Sequence, residues 1–296
     1  MPIQPYLELA RIHKPAGFFL VLWPPFWGLT MAAFSTKMAV TDYLILLLKS
    51  FLAAFIIRSS ACTVNDIFDR NFDGLVARTK NRPLASGRVT LSKAIYFLLL
   101  QYAVGVSIFA TFNKAAFYSN MIQMIPLSCS YPLFKRITNW PQAWLGLAIN
   151  FGFVTSWTAV HGTSPTHFNF VVLMSLALWC WTMAYDTAYA CLDRKDDAKI
   201  GLHSTALLFG QNVVPAISCL AIGFVSLLCI SGFLNNHGAP YYALSVGGPS
   251  LFFLIKLVNL DVESFESCWD FFIQNAYFLG SIIFVGLLFD YLRLVT

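Results

Sequence analysis

The chain has 296 residues, 58% of them hydrophobic and only 11% charged, with a formal net charge of +5 and a mean hydropathy of +0.66. A soluble domain carries roughly 25% charged residues, so this composition cannot clothe a water-facing surface. The short alternating segments of a membrane β-barrel are absent, and no nucleic-acid partner is expected. The class that remains is all-α: one polytopic membrane domain over residues 1–296.

In chain order, the N-terminus reaches Arg11-Ile12-His13-Lys14 almost at once and then turns apolar. No Arg- and Ser-rich amphipathic presequence precedes it, so a mitochondrial transit peptide is not expected. Apolar runs predict about nine transmembrane helices, at roughly 16–34, 43–64, 91–113, 116–132, 142–161, 167–190, 212–234, 239–258 and 270–291. Pro24-Pro25 is expected to break or kink the first, and Pro126 falls in the short fourth.

Two cations fall inside the spans. Lys49 either snorkels or lines an interior cleft. Arg58 precedes Asn65 by seven residues, on the same helical face and two turns deeper. There it needs a structural ion pair or an anionic ligand. The seven cysteines contain no Cys-x-x-Cys pair and mostly sit in apolar runs, as small buried hydrophobes do. The polar stretch from Asp261 to Asp270 is expected as a solvated loop.

Alternating sides along these spans collects nearly all remaining Lys and Arg on one face; only Lys37, Lys114 and Arg293 fall on the other. By the positive-inside rule the rich face, with the N-terminus, looks into the cytosol or its organellar equivalent.

That same face receives the acid. Of the 14 Asp and Glu, seven lie in two short stretches: Asn65-Asp66-Ile67-Phe68-Asp69-Arg70-Asn71-Phe72-Asp73 and Asp186 to Asp197. Four predicted spans separate them, an even number, so topology lets them meet. Asn65, Asp69 and Asp73 are spaced i, i+4, i+8, with Asp66 close to the same stripe; Asp186, Tyr189, Asp193 and Asp197 form a similar edge. Like charges at this spacing repel unless cations neutralise them. Hard oxygen ligands at such density suit Mg²⁺, which commonly bridges carboxylates to substrate phosphates.

Basic residues surround the acid. Arg78, Lys80 and Arg82 follow the first stretch in a loop ending Pro83-Leu84-Ala85-Ser86-Gly87; Lys135 and Arg136 lie in another loop, and Arg11 and Lys14 approach from the N-terminus. Metal-binding acid ringed by cations is how a site holds pyrophosphate and stabilises it as a leaving group. Taken singly, each cation could merely obey the positive-inside rule.

These residues carry a resemblance. The chain resembles the UbiA family of intramembrane aromatic prenyltransferases, and within it the 4-hydroxybenzoate polyprenyltransferase branch. Asn65 to Asp73 with Arg78-Thr79-Lys80-Asn81-Arg82-Pro83 is similar to that branch's first signature. Tyr185-Asp186-Thr187-Ala188-Tyr189-Ala190 through Asp193 and Asp197 to Lys199-Ile200-Gly201 is similar to its second. Ser204-Thr205-Ala206, Arg11 to Gly17, and Tyr131-Pro132-Leu133-Phe134-Lys135-Arg136 with Pro141-Gln142 extend the match, which covers roughly residues 7 to 210; the last three spans are generic.

The resemblance implies a nine-helix bundle around a cavity open sideways to lipid, under a polar cap where Mg²⁺ holds an isoprenyl diphosphate. By that analogy Asn65, Asp69 and Asp73 form one metal-binding set and Asp193 with Asp197 the other, the four aspartates being catalytic. Arg11, Lys80 and Lys135 are candidate diphosphate contacts. Arg58, Arg70 and Arg136 are candidates for the carboxylate of a phenolic acid acceptor, and Asp186 and Tyr189 face the same chamber.

The expected chemistry is a Mg-dependent transfer of the prenyl group to the ring carbon ortho to the hydroxyl of an acid such as 4-hydroxybenzoate, as in quinone biosynthesis. The same chemistry with a shorter farnesyl or geranyl chain and an orsellinic-type or hydroxybenzoic acceptor, as in terpenoid secondary metabolism, stands beside it. Two other classes compete: an ion-coupled transporter, whose carboxylates would sit nearer the bilayer midplane, and a scaffold protein that has lost catalysis. The expected location is a multi-pass integral membrane protein of the endoplasmic reticulum or a bacterial inner membrane, with the mitochondrial inner membrane as a third option.

Overall fold

The computed structural model describes residues 3–296, which contain no strand. A short α1 (Gln4–Leu9) precedes α2 (Ala16–Thr36), the 34-residue α3 (Val40–Asp73) and α4 (Leu91–Phe109). A continuous helical run follows: α5 (Lys114–Ile122), a widened turn at Gln123–Leu127, and α6 (Ser128–Ile137). Next come α7 (Pro141–His161), α8 (Phe168–Ala190) and the short α9 (Arg194–Ile200) and α10 (Thr205–Phe209). The chain closes with α11 (Val213–Leu234), α12 (Gly247–Val258), α13 (Phe265–Gln274) and α14 (Gly280–Val295).

Eight helices among the described residues are long and apolar enough to cross a membrane. The run from α5 to α6 makes up the approximate nine. Pro126 sits in its widened turn and lacks an N–H, which disrupts the regular helical ladder there. All-helical structure follows from the solvent: lipid offers no partner for a backbone N–H or C=O, so each span must satisfy its own.

The most enclosed span is α2, with 89% of its apolar window buried. It packs against α7, α3 and α14, while α8 packs against α7 and α11. Trp23 and Trp27 of α2 donate indole N–H groups to the Ala276 and Gly280 carbonyls at 2.6 and 3.2 Å. A Cβ on Gly280 would collide with the Trp23 indole, so only glycine permits that approach.

Of the break or kink expected at Pro24-Pro25, the break does not occur, and α2 continues through both. Neighbours support it there: the Pro25 ring packs into space left by Gly152 of α7, where a Cβ would lie 2.9 Å from the ring. Lys49 snorkels, donating to the Thr111 carbonyl at 2.8 Å. The stretch from Asp261 to Asp270 departs from the expected loop. The Ser264 side chain accepts from Ser267 N and starts α13 at Phe265, so its second half is helical. Glu263 pairs with Arg194, tying that segment to the second acidic stretch. All seven cysteines are free.

Candidate active site

The acidic end of α3 continues its helix beyond the apolar core, because Asn65 to Asp73 carries no breaker before Gly74. Its stripe turns inward: Asp66 is fully buried, and Asp69 and Asp73 are 8% and 6% exposed. Asn65 is half-buried beside them. Such burial of acid is tolerable only with compensating cations, and the loop after α3 supplies them. Thr79 Oγ1 donates to the Asp73 carbonyl at 2.9 Å and folds that loop back over the helix end. Arg82 then donates to both Asp73 oxygens at 2.9 Å and approaches Asp66 at 3.4 Å.

Arg78 joins the two stretches. It donates through Nε to Asp193 Oδ1 at 2.9 Å, through Nη2 to Asp193 Oδ2, and through Nη1 to the Tyr189 hydroxyl at 2.7 Å. Asp193 occupies the N-cap position of α9, in the turn after α8, so one bidentate guanidinium latches the second motif onto the first. Burial works against the charge on Arg78, but Tyr189 and Asp193 more than offset it and raise the group above its ordinary value. Arg82 is raised in the same way by Asp66 and Asp73, against burial.

Two further elements close the ring. Arg11 takes a left-handed backbone (φ 56°) just after α1 and donates to Asp66 Oδ1 at 2.6 Å. A non-glycine residue in that region is uncommon and is held by its surroundings. From the end of α6, Lys135 and Arg136 lie 3.9 and 3.3 Å from Asp69. Arg136 also donates to the Phe68 carbonyl at 2.8 Å and covers the Phe72 ring. The loop before α10 is anchored here too: His203 N donates to the Lys135 carbonyl at 3.0 Å, and Thr205 N to Gln142 Oε1 at 3.0 Å. Asp197 is half-buried on α9. Burial, then the neighbouring Asp193, pushes its carboxyl up to about 6.

The structure therefore brings Arg11, Asn65, Asp69, Asp73, Lys135, Arg136, Tyr189, Asp193 and Asp197 to one end of the bundle, with Asp186 buried on α8 and within electrostatic range of Lys135 and Arg78. Arg58 is also in range of Asp186 but makes no ion pair among the described residues, and its Nε is buried without a partner. Two sequence candidates stay outside. Arg70 is exposed and folds back onto the Ile67 carbonyl at 2.7 Å, because its position on α3 faces away from the stripe. Lys80 is exposed as well, while Arg78 and Arg82, on alternate loop positions, turn inward. The sequence placed Arg78, Arg82 and Asp66 around the site without a specific role for any of them; the loop's alternation of three cations held a signal, but not its phase.

The donor set fits a hard divalent cation. It consists of carboxylate and amide oxygens, and Asp66 Oδ2 is buried with no partner. Among the described residues no three His, Cys, Asp or Glu converge on one point, and Arg or Lys side chains hold most of the acids. Mg²⁺ does not need such a cage, since it takes one or two carboxylates together with waters and substrate phosphates.

The profile of the UbiA prenyltransferase family matches residues 21–282. The UbiA prenyltransferase claS of Ampulloclitocybe clavipes is 42% identical, over 98% of this chain and 91% of that protein. The 4-hydroxybenzoate geranyltransferase 1 of Lithospermum erythrorhizon is 37% identical, over 97% of this chain and 90% of that one. A UbiA homolog from Archaeoglobus fulgidus, solved bound to DMAPP and Mg2+, shares the fold with a TM-score of 0.73 at 16% identity, covering 98% of both chains. The family profile and these relatives thus cover most or nearly all of this all-helical membrane chain, which belongs to the UbiA prenyltransferase family.

Proposed function

We propose that this multi-pass membrane protein transfers a prenyl group from an isoprenyl diphosphate to the ring carbon ortho to the hydroxyl of a phenolic acid such as 4-hydroxybenzoate. The observation that carries this is the Arg78–Asp193 latch, which joins two carboxylate sets and a ring of cations into one polyanion-binding cap. Asn65, Asp69, Asp73, Asp193 and Asp197 would hold Mg²⁺, whose contribution when bound is Lewis-acid neutralisation of the diphosphate.

The chain's own residues do the rest. Arg11, Lys135, Arg78 and Arg82 offer charge-assisted donors to the diphosphate oxygens and favour its departure. Arg58 and Arg136 offer their guanidinium groups to the acceptor's carboxylate. Tyr185 and Phe272, buried and packed edge to face next to Asp186, would exclude water that would otherwise capture the allylic cation. The electron-rich ring carbon then bonds to that cation, and loss of a proton restores aromaticity.

A long polyprenyl donor suits the quinone pathway. A short geranyl or farnesyl donor is the second form, favoured by the geranyltransferase relative that covers 97% of this chain. A matrix of phenolic acids against geranyl, farnesyl, geranylgeranyl and longer diphosphates, read by mass spectrometry, tests both. No prenylated phenolic acid in any cell of the matrix would defeat the proposal; proton or sodium flux without diphosphate turnover would favour a transporter. The active face is the positive one, toward the cytosol or its organellar equivalent, in the endoplasmic reticulum, a bacterial inner membrane or the mitochondrial inner membrane.

A further inference from the structure

Asp186 is the carboxylate of the two acidic stretches that combines deep burial with the lack of any partner. It is 8% exposed, and no hydrogen bond or ion pair reaches its carboxylate among the described residues. Asp66, Asp69, Asp73 and Asp193 are each held by arginine or lysine, and Asp196 is paired with Lys199. Asp197 is also unpaired, but half-buried on the short α9. A largely buried carboxylate without a protein partner is costly. The Asp186 oxygens, unlike Asp66 Oδ2, keep some accessible surface, so a carboxylate left free inside an otherwise neutralised cap is open to a ligand.

Position narrows that use. Asp186 lies on α8 one helical turn before its end at Ala190, whereas Asp193 lies beyond that end, at the start of α9. It is within electrostatic range of Arg58, Lys135, Arg78 and Asp193, so it stands between the deeper Arg58 and the cations of the cap. The diphosphate belongs with the cap and the acceptor's carboxylate with the guanidinium groups. Resting on the function proposed above, we infer that Asp186 accepts the proton lost from the acceptor ring.

The step balances. Ring π electrons form the new C–C bond to the allylic cation. The C–H bond at that carbon then breaks, its electron pair returns to the ring, and the proton bonds to a carboxylate oxygen of Asp186. After product leaves, the proton passes to solvent. A protonated ring is so acidic that any carboxylate suffices; position and dryness decide which group takes it. Neighbouring Tyr131 and Tyr185 are phenols, ordinarily neutral and poor acceptors. The departing diphosphate is the rival base.

The test uses the full-length protein in membranes, with an acceptor carrying deuterium at both carbons ortho to the hydroxyl. Wild type, limited by ionisation, makes product without a primary isotope effect. Asp186→Asn is expected to lose ~100-fold or more in turnover and to gain a clear primary isotope effect, while still releasing pyrophosphate slowly to water when acceptor is omitted. Asp186→Glu, which keeps the charge and guards against misfolding, is expected to be slower than wild type with the same emergent isotope effect. Turnover of either variant within threefold of wild type, or slowing without an isotope effect, overturns the assignment and leaves diphosphate as the base. Wild type that prenylates no phenolic acid fails the proposed function instead, which separates the two failures.

Discussion

The guanidinium of Arg78 grips both oxygens of Asp193 while donating to the hydroxyl of Tyr189. A residue just downstream of the first acidic motif thus holds the second in place, across a sequence gap of 115 residues.

Arg78→Ala is expected to destabilise the protein by about 1–3 kcal/mol, below the value for a fully buried pair because the side chains are 26% and 16% exposed. Thermal unfolding in detergent reads the loss. A double-mutant cycle with Asp193→Asn should show strong non-additivity; strictly additive effects would dissolve the latch.

Asp69→Ala and Asp193→Ala should each abolish transfer while leaving the protein inserted and folded. Chelation of divalent cations should silence wild type, and added Mg²⁺ should restore it. Labelled allylic diphosphate and a phenolic acid, incubated with membranes, provide the assay. Full activity in either variant removes the carboxylates from catalysis.

Asp197 gives a pH dependence with a definite sign. Its carboxyl is pushed up to about 6 by burial and by Asp193. Cation binding needs the ionised form, so protons compete more strongly as pH falls. Apparent Mg²⁺ affinity should weaken by up to about tenfold per unit below about pH 6, and stay flat above pH 7. Asp197→Asn should bind weakly at every pH and lose this slope. Isothermal titration with Mg²⁺ and a non-hydrolysable diphosphate analogue separates the two curves.

Arg58 carries a buried Nε without a partner. Arg58→Ala should raise KM for a phenolic acid by about 10- to 100-fold, the scale of a charged hydrogen bond at roughly 1.5–3 kcal/mol. KM for the diphosphate should hold. An acceptor lacking the carboxylate should not feel the change; equal penalties for both acceptors would make Arg58 structural.

Gly280→Ala should destabilise the bundle by about 1–3 kcal/mol, because its Cβ falls on the Trp23 indole. Combining it with Trp23→Phe should recover part of the loss, read by unfolding in detergent.

Periodicity made most of this legible. Apolar runs located the spans to within a few residues, except that α3 and the final helical run extend further into polar sequence than their runs suggested. The Asp69 and Asp73 stripe was visible because helical spacing is rigid. The loop cations were not: residues 74–90 follow no fixed period, so nothing in the letters said that Arg78 and Arg82 turn inward while Lys80 turns out. Arg70 is the reverse case, a charge inside the motif yet outside the site, because its helical position faces away from the acidic stripe. Pro24 and Pro25 do not interrupt α2, because packing around a buried helix outweighs intrinsic propensity.

The near-complete enclosure of α2 also bears on biogenesis. It is made before every span it packs against, yet two of its hydrogen-bond acceptors, the carbonyls of Ala276 and Gly280, are made about 250 residues later. Until then its tryptophans must wait in lipid or against an insertion chaperone. Chains truncated before residue 276 should therefore stay loosely assembled and be cleared by membrane quality control, even though every residue of both acidic motifs has already been synthesised.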